Sequence, residues 1–256
     1  MNGPTRERLD RLLVSRGLLA SRRRAQALIL AGKVRVNGQR VSKAGHPVPV
    51  SAALDVELPD HDYVSRGGLK LAEALNRFHL DVRNLVCLDV GASTGGWTDC
   101  LLQNGARSVY AVDVGYGQLA WKLRQDPRVI AIERSNIRYL DPQTIPEPVD
   151  LAVIDVSFIS LRIVVPATLK FLKPGGNLVV LIKPQFEVGK GQVGKGGIVR
   201  NPRHHQEVIT GLTAFFDSQG LHCASVIPSP IQGAKGNREF LALLSLPVPS
   251  PALPQS

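Results

Sequence analysis

Two lysines and two acids, Lys70, Asp155, Lys183 and Glu239, are spaced so that a folded sheet could gather them. Asp155 follows the apolar run 151–154, and Lys183 follows the run 178–182, twenty-eight residues further on, with room between for one helix and one turn. Two consecutive parallel strands would then deliver a carboxylate and an amine to one carboxyl-terminal edge, where open α/β sheets bind ligands. Lys70 stands before the first strand of this region. Glu239 begins its last, whose antiparallel course would bring its start to the same edge. Such a set can orient a weak nucleophile and take up its proton.

The seat for a ligand beside this set is the stretch 85–105, LVCLDVGASTGGWTDCLLQNG, which reads strand, glycine turn, helix. Leu85, Val86, Leu88 and Val90 form an apolar run of the kind found in strands covered on both faces. Gly91, Gly95 and Gly96 allow close approach of the backbone to a ligand. The turn lacks the Gly-x-Gly-x-x-Gly order of dinucleotide sites and the Lys-Ser/Thr pair of P-loops. S-adenosylmethionine remains, a cofactor without phosphate that needs backbone approach but no cation. Asp113, at the end of the next apparent strand (109–112), could accept hydrogen bonds from both ribose hydroxyls. Two look-alikes are set aside. The GYGQLA run at 115–120, with Glu133 beyond it, would leave the 85–105 unit without a role. The run 189–195 has Gly196 where a P-loop needs Ser or Thr, and reads better as a basic flap over an RNA strand.

The elements that must position these residues follow from periodicity. The spacing predicts helices at 67–78, 97–103, 118–124, 161–172 and 202–218, alternating with strands at 85–90, 109–112, 129–132, 151–154, 178–182, 221–227 and 239–246. That is repeated βα, the pattern of a doubly wound α/β sheet. Residues 184–201 are rich in glycine and lysine, without period, and read as a mobile loop. Residues 247–256 read as a proline-rich tail that does not fold.

Charge is unevenly placed: residues 1–50 carry eleven Lys/Arg and two acids, while the rest carries twenty and nineteen. A segment so biased attracts a polyanion, and no long apolar face accompanies it to suggest a membrane. A helix capped by Thr5 and running to Arg16, a second capped by Ser21 over 22–31, and a hairpin turning at Asn37-Gly38 are expected there. Further strand is expected over 48–58. Cys87, Cys100 and Cys223 read as buried thiols, with neither disulfide nor zinc spacing. No apolar run approaches the ~20 residues of a membrane span, and a cytoplasmic protein, monomeric or weakly dimeric, is expected.

The words RLDRLLVSRGLLASRRRAQALILAGKVRVNGQRVSK resemble the S4 RNA-binding domain. SRGGLKL, LDVGASTGGWTD, VDVGYGQL, IDVSFISL, LIKPQFE and NREFL resemble the hemolysin-A-like (TlyA) family of ribosomal RNA methyltransferases, which is similar to the FtsJ-type ribose 2'-O-methyltransferases. The resemblance implies a small N-terminal S4-like α+β domain (1–59), a linker (60–64) and a Rossmann-like methyltransferase domain (65–246). It also implies methylation of a cytidine 2'-hydroxyl in ribosomal RNA by a Lys-Asp-Lys-Glu set, onto which Lys70, Asp155, Lys183 and Glu239 fall. The expected cofactor residues are Asp89, Gly91, Ala92, Ser93, Thr94, Gly95, Gly96, Asp113, Asn136 and Asp155. The expected RNA contacts are Arg6, Arg8, Arg22, Arg23, Arg24, Lys33, Arg35 and Arg66. Three arginines at a helix start oppose the helix dipole, and an RNA phosphate between them would relieve the conflict.

A ribose hydroxyl is a weak nucleophile facing an excellent methyl donor, so the enzyme must align it and remove its proton. Lys183 is the candidate base, with Asp155 and Glu239 holding lysines and substrate. An ammonium must first shed its own proton, which burial or a neighbouring cation favours. Two other classes fit less of the sequence: a non-catalytic RNA-binding assembly factor, and a cytolysin.

Overall fold

A computed structural model describes residues 5–19, 21–57, 61–189 and 191–248, with Ala234 by its backbone only. Residues 58–59 of the expected first domain, residue 60 of the expected linker, and the expected tail from 249 on lie outside the described residues. The chain divides into two compact units, Met1–Asp62 and Tyr63–Ser256.

In the first unit, β1 (Arg6–Arg8) leads into α1 (Leu9–Ser15), followed by α2 (Arg22–Leu30), β2 (Val34–Val36), β3 (Gln39–Arg40), β4 (Pro47–Pro49) and β5 (Leu54–Val56). Leu9, Leu12 and Leu13 of α1 pack with Ala25 and Ile29 of α2 and with Val34 and Val48. Ser21 Oγ accepts from Arg24 N and caps α2 as expected. Asn37 (φ 50°) and Gly38 (φ 81°) make the hairpin turn between β2 and β3. The first helix differs from the expectation. Thr5 does not cap it, because residues 6–8 pair as a strand with β4 and the helix begins at Leu9. The amides of Leu9 and Asp10 donate to the carbonyls of His46 and Ala44, partners more than thirty residues away that local periodicity cannot reveal.

The second unit opens with α3 (Gly67–Arg77) and β6 (Val86–Val90), then α4 (Gly96–Gln103), β7 (Ser108–Val112), α5 (Trp121–Arg124) and β8 (Val129–Ile132). It continues with β9 (Val149–Ile154), α6 (Leu161–Leu169), β10 (Leu172–Ile182), α7 (Pro202–Ser218), β11 (His222–Pro228) and β12 (Phe240–Ser245). Seven strands form one sheet in the order β11-β12-β10-β9-β6-β7-β8. The run β10-β9-β6-β7-β8 is parallel, and β12 is antiparallel to both β10 and β11. Alternation along β6 feeds two cores: Val86, Leu88 and Val90 pack with Val165 of α6 and Phe216 of α7, while Cys87 packs with Leu71 of α3 and Leu101 of α4. Burial of every β6 residue explains why the stretch carried no polar alternation.

Three local expectations change. Pro174-Gly175-Gly176 reads in the sequence as a turn into the strand at 178, yet these residues form an irregularity inside β10, whose pairing with β9 shifts between Leu172 and Asn177 while Gly175 takes φ 76°. Helix α5 spans only Trp121–Arg124, because the residues before it fold back on the glycine turn, with Ala120 N donating to Thr94 O. The loop at 184–201 is anchored in its second half: Asn237 accepts from Val199 N and donates to Gly197 O, and Val199 is buried.

Candidate active site at the carboxyl edge of the sheet

The register places the ends of four adjacent strands in a row. Ile182 pairs with Phe240, Val180 with Ile154, and Val90 with Ile154, so Glu239, Lys183, Asp155 and Gly91 follow one another across the carboxyl edge. Lys183 Nζ lies 2.6 Å from Asp155 Oδ1 and donates to Ser157 Oγ at 3.0 Å. Lys70, one turn into α3, donates to Glu239 Oε2 at 2.6 Å, and both are buried. The four expected catalytic residues therefore stand as two ion pairs, from four elements distant in sequence. Each buried member depends on its partner, because an unpaired charge at such a site is strongly disfavoured.

The glycine turn completes the edge. Gly91 takes φ 87°, and a Cβ there would fall 2.5 Å from the Asp155 carbonyl oxygen, so only glycine lets the turn lie against the end of β9. Asp113, at the end of β7, accepts from the amides of Ser93 (2.8 Å) and Gly115 (2.7 Å). Around the turn lie two recesses that share Gly91, Ser93, Asp155 and Ser157. The larger, about 480 Å³, is walled by Asp113, Gln118, Asn136, Ile137, Phe158, Ile159 and Val164. The smaller, about 230 Å³, is walled by Ser65, Gly67, Ala92, Thr94, Gly96, Trp97 and Lys183.

Asp89 and Gly95 stand behind these walls. Gly95 (φ 93°) packs on Leu119 and Leu123. Asp89 is fully buried, and its Oδ2 accepts from the Thr98 hydroxyl at 2.6 Å, tying β6 to α4. Burial foremost, with the charges of Asp155 and Asp113 adding, pushes its carboxyl up to about 7 against the pull of the Thr98 hydrogen bonds. Ser65, Trp97 and Ser157 were not anticipated from sequence. Trp97 directly follows GASTGG and Ser157 comes two residues after Asp155, adjacency being the only signal available.

In the first unit, Arg6, Arg23, Arg24 and Arg35 are exposed, and Lys33 pairs with Glu57. Arg66, in the second unit, is exposed at the start of α3. Arg8 and Arg22 both reach the buried carboxylate of Asp10, so part of the charge conflict at the start of α2 is relieved from within the chain.

A parallel sheet with an antiparallel terminal hairpin, and a glycine turn that opens on the cleft at its carboxyl edge, defines the class: Rossmann-like methyltransferases. The fold is shared with a Burkholderia thailandensis N1-methyltransferase solved with S-adenosylhomocysteine, at TM-score 0.51 and 20% identity over 72% of this chain and 80% of that one. Within the class, this chain belongs to the FtsJ-like methyltransferase family, which it matches over residues 63–246, with an S4 domain matched at 7–54. It is 47% identical to the Mycobacterium tuberculosis 16S/23S rRNA (cytidine-2'-O)-methyltransferase TlyA over 93% of this chain and 90% of that protein. It is also similar to the solved structure of a Streptococcus thermophilus protein that carries a hemolysin label, at TM-score 0.74 and 45% identity over 99% and 94% of the two chains. Among the described residues no helix is long and apolar enough to cross a membrane.

Proposed function

We propose that this protein transfers the methyl group of S-adenosylmethionine to a ribose 2'-hydroxyl, that of a cytidine in 16S or 23S ribosomal RNA. The observation that carries the reading is the row Glu239, Lys183, Asp155, Gly91 at four adjacent strand ends, which joins the charged set to the glycine cleft. The activity of the M. tuberculosis relative and the S4 match supply the substrate class, and a cytoplasmic location follows from that substrate.

The residues present fit the cofactor. Trp97 Nε1 is buried without a hydrogen-bond partner at the wall of the smaller recess, a donor that an amino-acid carboxylate would satisfy. Asp113 offers acceptors for vicinal ribose hydroxyls, and Ile137, Ile159 and Val164 offer an apolar wall for a flat base. When bound, the sulfonium supplies an activated methyl group. The chain's own task is the acceptor: aligning the hydroxyl and taking its proton. Lys183, having first given one proton to solvent, takes the hydroxyl proton, and Asp155, 2.6 Å away, holds the ammonium so formed. Ser157 steadies the Lys183 amine, and the Lys70–Glu239 pair ties α3 to the start of β12.

Incubation with labelled S-adenosylmethionine and purified ribosomal subunits tests the reading. Label at one alkali-resistant ribose is expected. A protein that binds the cofactor yet labels neither subunit would be an assembly factor instead.

A further inference from the structure

In the first unit, one carboxylate organises two cations. Asp10, at the second position of α1, is fully buried. Its Oδ1 accepts from Arg8 Nε at 3.0 Å, and its Oδ2 accepts from Arg8 Nη2 (3.1 Å), Arg22 Nη2 (3.1 Å) and Gln26 Nε2 (2.9 Å). Arg8 foremost, with Gln26 and Arg22, holds the carboxyl well below the usual carboxylate range against the opposing effect of burial, so Asp10 stays ionised. The two guanidinium side chains are nevertheless 47% and 48% exposed. Both Nη2 atoms lie 3.1 Å from the same oxygen, which keeps them within about 6 Å of each other. One phosphate group, or two neighbours on one strand, can bridge such a span. Arg22 keeps its Nε and Nη1 for a further acceptor, and the planar fork of arginine suits phosphate oxygens.

We infer that Asp10 is a positioning residue for nucleic acid: it sets Arg8 and Arg22 side by side as a ready-made seat for an RNA backbone phosphate. This rests on the reading that the first unit binds RNA. Long side chains lose rotamer freedom when they grip a ligand, and a carboxylate beneath them meets that cost before the RNA arrives. The inference runs against simple charge counting. Removing Asp10's charge makes the surface one unit more positive, which alone would tighten binding to a polyanion.

The test is filter binding of full-length protein to 16S and 23S ribosomal RNA transcripts across a salt series. Asp10→Asn is expected to weaken binding about three- to tenfold despite its added positive charge, the direction set by lost preorganisation. Arg8→Ala with Arg22→Ala is expected to weaken it further and to flatten the salt dependence. Adding Asp10→Asn to that pair should then cause no further loss, only the slight tightening that one added positive charge brings, whereas further loss would mean that Asp10 only supports the fold, because a folding defect does not need the arginines to act. Equal or tighter binding by Asp10→Asn, with the arginine pair variant weakened, overturns the inference. Normal binding by the arginine pair variant overturns the RNA-binding reading of these residues, and the inference falls with it. A cofactor titration on each variant reports whether the second unit is intact.

Discussion

Glu239 Oε2 and Lys70 Nζ, from residues 169 positions apart in sequence, meet at 2.6 Å in a buried ion pair that joins the last strand of the sheet to the first helix of the second unit. Side-chain exposures of 3% and 10% leave little water to stabilise either charge alone. Lys70→Met by itself should therefore cost about 3–5 kcal/mol, the penalty of stranding a buried charge. Lys70→Met with Glu239→Leu should recover most of that in denaturant unfolding while methyl transfer stays lost. A single variant as stable as the wild type would mean that the pair is far better hydrated than its burial indicates.

Lys183→Ala is expected to lower the transfer rate by about 10²–10⁴-fold, the usual contribution of a positioned proton acceptor. Binding of S-adenosylmethionine, followed by calorimetry, and of ribosomal RNA should persist. Loss of both bindings along with transfer would reassign Lys183 to holding the edge of the sheet.

Gly91→Ala should abolish cofactor binding. Its backbone is at φ 87°, and the added methyl would lie 2.5 Å from the Asp155 carbonyl oxygen, so either the turn or the end of β9 must move. Equilibrium dialysis with labelled S-adenosylmethionine reads the outcome, and retained affinity would separate the turn from the cofactor.

Asp89 makes stability depend on pH. Its carboxyl is raised from 3.8 to about 7 in the folded protein. Between those values the folded state binds the extra proton, so the contribution is fully present below about pH 4 and is lost as pH rises through 7. The melting temperature should fall over that window, and Asp89→Asn should flatten the fall. A variant whose melting profile parallels the wild type would place the pH dependence elsewhere.

Removal of residues 1–60 should weaken RNA binding and reduce its salt slope, because eleven of the chain's lysines and arginines lie within the first fifty residues. Transfer to ribosomal RNA at low concentration should fall with it, while cofactor affinity is unchanged. Unaltered RNA affinity after the cut would give the anchoring role to the second unit.

Much of the second unit was legible because its signals are local. Apolar runs long enough for buried strands, glycines between strand and helix, and Asn201 with Pro202 at the start of α7 each act within a few residues. What misled were places where a distant partner outweighed local preference. Thr5 is a good cap in isolation, yet residues 6–8 pair with 47–49 and the start of α1 borrows the carbonyls of Ala44 and His46. Residues 174–176 spell a turn, yet pairing with β9 on either side, at Leu172 and from Asn177 on, carries one strand through them as an irregularity. The glycine-rich 184–201 carries no period, yet Asn237 fastens its second half.

For the site, residue types and strand ends were set by the sequence alone: an acid and an amine at the ends of consecutive strands, and a turn only glycine could make. Which charge meets which was decided by the tertiary structure. Asp155 is matched to Lys183 and Glu239 to Lys70 by parallel register and by the antiparallel return of the last strand, relationships between backbones that no spacing along one chain encodes. The same holds for Arg22 over Asp10, which packing of α1 against α2 brings together. Charge is written in composition, but its direction depends on which buried group folding brings within 3 Å or so of it, the reach of a hydrogen bond.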